Sequence, residues 1–197
     1  MAWGSASRAL DPEHGMGDRS LVLKLANGVL LAVVDGLGHG KAAAEAARSA
    51  TAALERHATP DLRHAVERCH DELKATRGAT LGLAWMDLST SWLTWLGIGS
   101  VAGILHRIER DVAESPSMPQ FRGIVGRRIP AGHPARVRFG VGDTLVLATD
   151  GVNRSFADDL PKAKGSERQI AERLIETHAT DRDDALVLVA RCVTGRT

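Results

Sequence analysis

The sequence predicts an α+β fold in which grouped helices cover runs of antiparallel strands. Short β-type segments separated by glycine, asparagine and serine turns recur along the chain. Helix-type stretches come as one consecutive pair and one late helix, not alternating singly with strands as parallel βαβ units require. The 197 residues fit one domain, 1–197, long enough to bury roughly 70% of its unfolded surface in a core of its own.

The stretch SLVLKLANGVLLAVVDG, residues 20–36, holds two β-type runs around Asn27-Gly28, a dipeptide suited to the positive φ angles of a type I′ hairpin turn. Asp35 then ends the second strand. KAAAEAARSATAALERHA, 41–58, is rich in the best helix former, and its small side chains let a helix lie close to a sheet. Thr59 is the expected N-cap and Pro60 the first-turn residue of a second helix through DLRHAVERCHDELKA, 61–75.

From Gly78 the texture changes to a meander: ATLGLAWMD (79–87), SWLTWLGI (91–98) and VAGILHRIE (101–109). Trp85, Trp92 and Trp95 lie on adjoining strands and read as core. Residues 113–134 carry four prolines without a period and read as loop. ARVRF (135–139) and TLVLATD (144–150) flank the turn Gly140 to Asp143. Ser166 is the expected N-cap of SERQIAERLIETH (166–178), and ALVLVAR (185–191) is a buried closing strand.

Lys plus Arg (25) nearly cancels Asp plus Glu (24), so the charge balance offers no nucleic-acid footprint. Cys69 and Cys192 match no CxxC pattern and read as free thiols of a reducing cytosol. No run approaches the roughly 18 to 20 apolar residues of a membrane helix, and MAWGSASRALDPEHG lacks a signal peptide's basic start and apolar core. A soluble, cytoplasmic protein with no membrane partner is expected.

Aspartates recur at strand termini. Asp35 ends VLLAVVD, Asp150 ends TLVLATD, Asp183-Asp184 precedes ALVLVA, and Asp18 stands in GMGD before the first of these strands. Two are followed by glycine, which admits a ligand close to the backbone and frees a carbonyl oxygen. Carboxylates, carbonyls and water suit hard cations such as Mg²⁺ or Mn²⁺, and two ions about 3.5 to 4 Å apart would offset the mutual repulsion of clustered acids. One strand-end Asp-Gly is ordinarily a turn. Two of them together with DDALVLV point to a metal.

VVDGLGHG, RGATLGLAWMD, ARVRFGVGDTLVLATDGV and DRDDALVLVAR follow one another in the order and spacing of the PPM family, the metal-dependent serine/threonine protein phosphatases, and DGLGHG resembles its bacterial SpoIIE-type branch. The resemblance spans Met16 to Arg191. Because the chain leaves no room for a sensor or coiled-coil segment, it is most similar to the stand-alone phosphatase of the stressosome. The resemblance implies a four-layer α-β-β-α sandwich with two Mn²⁺ or Mg²⁺ ions at one end of the sheets. Asp35 would bridge them, the Gly36 carbonyl and Asp150 would each bind one, Asp183 would be a ligand beside Asp184, and Asp18 would act directly or through water. Asp35, Asp150 and Asp183 would then be the catalytic set, activating a water for in-line attack on phosphorus without a covalent enzyme intermediate. The implied substrates are phosphorylated STAS-domain proteins of a bacterial stressosome, with an anti-anti-sigma factor as the alternative.

The chain departs from the family in places. The histidine that follows Asp-Gly directly in many members is replaced by Leu37, and His39 comes two places later, as general acid or as helix cap. Gly97-Ile98-Gly99-Ser100 stands where many members carry an acid for a third ion. Neither Arg8 nor Arg19 matches the phosphate-binding arginine of some members, and His14 reads as a surface loop residue. A different class competes: Gly38, Gly40 and Ala43 fit a GxGxxA dinucleotide cradle. The acid expected about 20 residues further on is missing, because Thr59 to Lys74 reads as helix, and Ala42 with Asp35 breaks the Walker pattern. A catalytically dead member acting as a binding module is opposed by the retention of Asp35, Asp150 and Asp183.

Overall fold

In the computed structural model, which describes residues 1–107 and 117–193, the strands are β1 (Ala2–Arg8), β2 (Asp18–Leu25), β3 (Gly28–Gly36), β4 (Ala79–Asp87), β5 (Trp92–Ile98), β6 (Ala102–His106), β7 (Gln120–Phe121), β8 (Ala135–Arg138), β9 (Thr144–Ala148) and β10 (Ala185–Arg191). One sheet runs β2-β3-β4-β5-β7, with β8 also paired to β5, and the other runs β1-β10-β9-β6. The helices are α1 (Gly40–Arg56), α2 (Leu62–Leu73) and α3 (Glu167–His178), with a 3-10 helix at Arg154–Lys162.

The four layers follow from the period of two along each strand. On β3, Leu30, Ala32 and Val34 turn toward α1 and α2, while Val29, Leu31 and Val33 turn toward the other sheet. On β10, Leu186, Leu188 and Ala190 enter that same middle layer, and Ala185, Val187 and Val189 pack under α3. Three apolar cores thus separate helix, sheet, sheet and helix, the expected α-β-β-α sandwich. Strands buried on both faces read as unbroken apolar runs, which is why VLLAVV and ALVLVA lack polar alternation. Ala43, Ala46, Ala47, Ala50 and Ala53 of α1 are fully buried. They bring the helix so near the sheet that a Cβ on Gly36 would lie 2.1 Å from the Ala43 carbonyl oxygen.

Several local expectations are corrected. Leu25 pairs with Gly28, so Ala26-Asn27 forms the hairpin loop, and neither Asn27 nor Gly28 has positive φ. The turn is therefore not type I′. Gly28 is needed for close approach, because a Cβ there would meet the Met86 carbonyl oxygen at 2.3 Å. Asp61 caps α2 in place of Thr59, accepting bonds from the Arg63 and His64 amides, since a carboxylate directly before the helix reaches its free donors. Ser166 caps α3 as expected, in a complete capping box with Gln169. The strand ending at Asp150 stops at Ala148, and 108–109 of the strand expected over 101–109 lie outside the described residues. Within the expected loop 113–134, of which 113–116 are also outside, lies the short parallel strand β7.

Trp85 and Trp95 are core, but Trp92 is half-exposed. The guanidinium groups of Arg136 and Arg138 lie 4.7 and 4.3 Å from its ring centre. Three elements have no counterpart in the sequence reading: β1, β7 and the 3-10 helix. The dinucleotide reading fails on topology: α1 leads into α2 and back through β4, which is antiparallel to β3, whereas a pyrophosphate cradle needs a parallel βαβ return. No helix among the described residues is long and apolar enough to cross a membrane.

Candidate metal centre

The expected site residues gather at one end of the sandwich. Asp35 is opposed in register by Asp18 on β2 and by Thr80 on β4. Asp150 lies in the turn after β9, and Asp183-Asp184 directly precedes β10. The two sheets therefore each contribute acids. Thr149 joins the halves: its hydroxyl donates to Asp18 Oδ2 at 2.6 Å and accepts from the Leu186 amide at 2.9 Å.

These acids lie within electrostatic reach of one another. Burial pushes the Asp18 carboxyl up to about 9, eased by the Thr149 hydroxyl and raised further by Asp35, Asp184 and Asp183. Asp35 is pushed up to about 6 by burial and then by the charge of Asp150, while the Ser100 and Thr80 hydroxyls pull it down. Asp183 is also raised, by burial first and then by Asp150 and Asp184 against the Asp184 amide, with His39 opposing. Among the described residues no Lys or Arg forms an ion pair with Asp18, Asp35, Asp150, Asp183 or Asp184. Such a cluster of acids fits a hard cation, whose charge would take the place of the missing ion pairs. No three Asp, Glu, His or Cys side chains among the described residues form a ready-made cage. Carbonyl and water oxygens would complete any coordination shell, as is common for magnesium.

Sequence reasoning missed three hydroxyls. Thr80 Oγ1 and Ser100 Oγ lie 3.1 and 3.0 Å from Asp35 Oδ2 and 2.8 Å from each other. With one proton each, the two hydroxyls can make two of these three contacts as hydrogen bonds, and either arrangement aims at least one donor at Oδ2. Gly99 makes this possible, with φ +89 and Thr80 Cβ 2.4 Å from where its own Cβ would be. Ser100, the last residue of the Gly97-Ile98-Gly99-Ser100 stretch, thus contacts Asp35. The signal available was the position of Thr80 directly across from Asp35, but only register reveals it.

Asp184 is the more buried of its pair. Its Oδ1 accepts from the Leu10 amide at 2.7 Å and its Oδ2 from the Gly17 amide at 2.6 Å, which ties the loop before β2 to the start of β10. That loop walls a cleft of about 520 Å³ lined by His39, Gly40, Asp184, Leu10, Asp11 and His14. His39 occupies the N-cap position of α1 but makes no side-chain cap. His14 is exposed as expected, yet its Nδ1 is 2.7 Å from Asp11 Oδ2. Of the two arginines weighed for phosphate, Arg8 pairs with Asp181 and the Thr180 carbonyl, and Arg19 is exposed on β2.

Two facing sheets flanked by helices are the fold of solved PP2C-type phosphatase domains. The sequence pattern of the family described as Stage II sporulation protein E (SpoIIE) matches residues 26–193. The chain belongs to the SpoIIE family. It is 27% identical over 166 residues to the phosphoserine phosphatase RsbX of Bacillus subtilis (strain 168), covering 82% of this chain and 79% of that protein. A chain from a structure of the bacterial stressosome, described as a modular system adapted to control secondary messenger signaling, superposes with a TM-score of 0.84 at 26% identity over 96% of this chain and 98% of that one. A crystal structure of RsbX in complex with magnesium superposes with a TM-score of 0.80 at 22% identity, covering 94% and 92%.

Proposed function

We propose that this PP2C-type enzyme is a cytoplasmic Mn²⁺- or Mg²⁺-dependent phosphoserine/phosphothreonine protein phosphatase acting on phosphorylated STAS-domain proteins of a bacterial stressosome, so resetting a stress signal. The observation that carries the chemistry is the meeting of Asp18, Asp35, Asp150 and Asp183 at one sheet end without a Lys or Arg ion pair among the described residues. Asp18, Asp35, the Gly36 carbonyl, Asp150 and Asp183 would hold two ions. When bound, such ions supply a nucleophilic water near neutral pH and offset phosphoryl charge.

The chain's own residues do the positioning. Thr80 and Ser100 hold one oxygen of Asp35, Thr149 holds one oxygen of Asp18, and Asp184 fixes the Leu10–Gly17 loop that walls the cleft. Donors of this kind around metal ligands typically change affinity or activity by about 10- to 100-fold. The substrate assignment is supported by the likeness to RsbX and to the stressosome chain.

The test is to incubate the protein with candidate phosphorylated STAS proteins and Mn²⁺ and to follow dephosphorylation site by site. Loss of phosphate that EDTA stops is expected. Indifference to scaffold STAS proteins with rapid turnover of a phosphorylated anti-anti-sigma factor would transfer the assignment to the alternative.

A further inference from the structure

We infer that an arginine groove beside the acid cluster docks an acidic segment of the protein substrate next to its phosphorylated residue, an inference that rests on the phosphatase reading above. The groove, about 560 Å³, is lined by Arg122, Arg127 and Arg128 together with Ile124 and Pro130. Arg77 stands between it and the metal end. A Cβ on Gly38, three residues past Asp35, would lie 2.8 Å from Arg77 Nη1.

Topology fixes the groove at the reactive end. β7 runs parallel to β5 with Phe121 opposite Ile98, so Arg122 follows beside Gly99, the residue before Ser100, whose hydroxyl bonds Asp35. The Gly99 amide donates to the Phe121 carbonyl at 2.9 Å, and Ala79 and Val125 exchange two backbone bonds of 3.0 and 2.8 Å. Ala79 pairs in turn with Gly36, and the Leu37 amide donates to the Gly78 carbonyl at 3.0 Å. A tight turn, in which the Ile124 and Arg128 amides each donate to the other residue's carbonyl at 2.9 Å, rigidifies the loop. Arg127 holds the Thr76 carbonyl at 3.0 Å, and Arg63 holds the Pro130 carbonyl.

The charge there is uncompensated among the described residues. No carboxylate among the described residues pairs with Arg77, Arg122, Arg127 or Arg128, although the chain as a whole is nearly balanced at +1. All four are exposed. Guanidinium forks match carboxylates in bidentate geometry, and exposed complementary charge steers encounter and fixes register. A nucleic acid is disfavoured as the occupant because no aromatic side chain lines the groove to stack a base. The ligand class is an acidic peptide segment flanking phosphoserine or phosphothreonine.

The experiment compares two phosphoserine peptides, one with an Asp/Glu run beside the phosphoresidue and one with Ser/Gln in its place, on the full chain with Mn²⁺ and by fluorescence anisotropy in EDTA. The expected result is a preference for the acidic peptide on the order of tenfold, expressed in KM and in binding and shrinking with salt. The double variant R122E/R128E should erase that preference at unchanged melting temperature. Equal binding of both peptides by the wild type would overturn the docking surface. So would a preference that survives the double reversal, or displacement of the acidic peptide by an oligothymidylate at lower concentration than by excess acidic peptide. Failure of the phosphatase reading is separate: neither peptide nor p-nitrophenyl phosphate would be hydrolysed with Mn²⁺, whatever the anisotropy.

Discussion

Asp35 and Asp87 are both strand-end aspartates of one sheet, at opposite ends of the β3-β4 ladder. Their chemistry differs because their surroundings do. Asp87 sits in the β4-β5 hairpin, where its Oδ1 accepts from the Ser89 amide and hydroxyl and from the Thr90 amide at 2.7 to 3.1 Å. The Ser89 and Thr90 bonds hold it down at about 2. Asp35 has two hydroxyls but is half-buried among other carboxylates, and it is held up at about 6. A strand-end Asp is a turn device when donors outnumber charges and a site when charges outnumber donors.

The largest test of this contrast is neutralisation. D35N should lower kcat by about a thousandfold or more, the several kcal/mol expected of metal-centred stabilisation, while the metal-free protein melts no lower than wild type because one repelling charge is gone. D87N should leave p-nitrophenyl phosphate hydrolysis unchanged. Wild-type activity in D35N would remove the proposed site.

The next effect concerns pH. An acid whose folded pKa is raised binds more protons folded than unfolded, so its stabilisation is present below the unfolded pKa and is lost as pH rises through the folded one. For Asp18 and Asp35 that window runs from the ordinary value of 3.8 to about 9 and about 6, respectively. In EDTA the melting temperature should therefore fall between pH 6 and 9, chiefly through Asp18, and saturating Mg²⁺ should flatten the fall. A metal-free melting temperature that rises over this range would contradict the burial of these acids.

Smaller changes follow from the hydroxyls. T149V removes the donor to Asp18 and strands the Leu186 amide, so a loss of about 1 to 3 kcal/mol in stability and a roughly 10- to 100-fold weaker metal affinity are expected from calorimetry and metal titration. S100A should weaken metal binding less, by about tenfold, because Thr80 still holds Asp35 Oδ2.

What was legible in the sequence follows from distance along the chain. The doubly buried strands, the cap at Ser166 and the strand-end acids are local patterns, and reading them requires no partner. β1 was not legible because AWGSASR is made a strand by β10 at the far end of the chain, and Gly4 serves the approach of α3, with Arg168 N 2.4 Å from a Cβ placed there. Thr80, Ser100 and Arg77 gain meaning only through register and close approach. His39 drew attention by its motif, but its side chain does not cap α1. Asp184, read as the neighbour of a ligand, also anchors the cleft wall.

That anchor carries a consequence for the order of events during synthesis. Asp18 meets Thr149 across 131 residues, and Gly17 meets Asp184 across 167. Contacts of such sequence separation form late because the intervening chain must first be ordered. A nascent chain that has emerged only through α3 holds Asp18, Asp35 and Asp150 but lacks Asp183 and the strand that positions them. Docking of β10 is therefore the step that brings Asp183 and Asp184 to the acids of the other sheet.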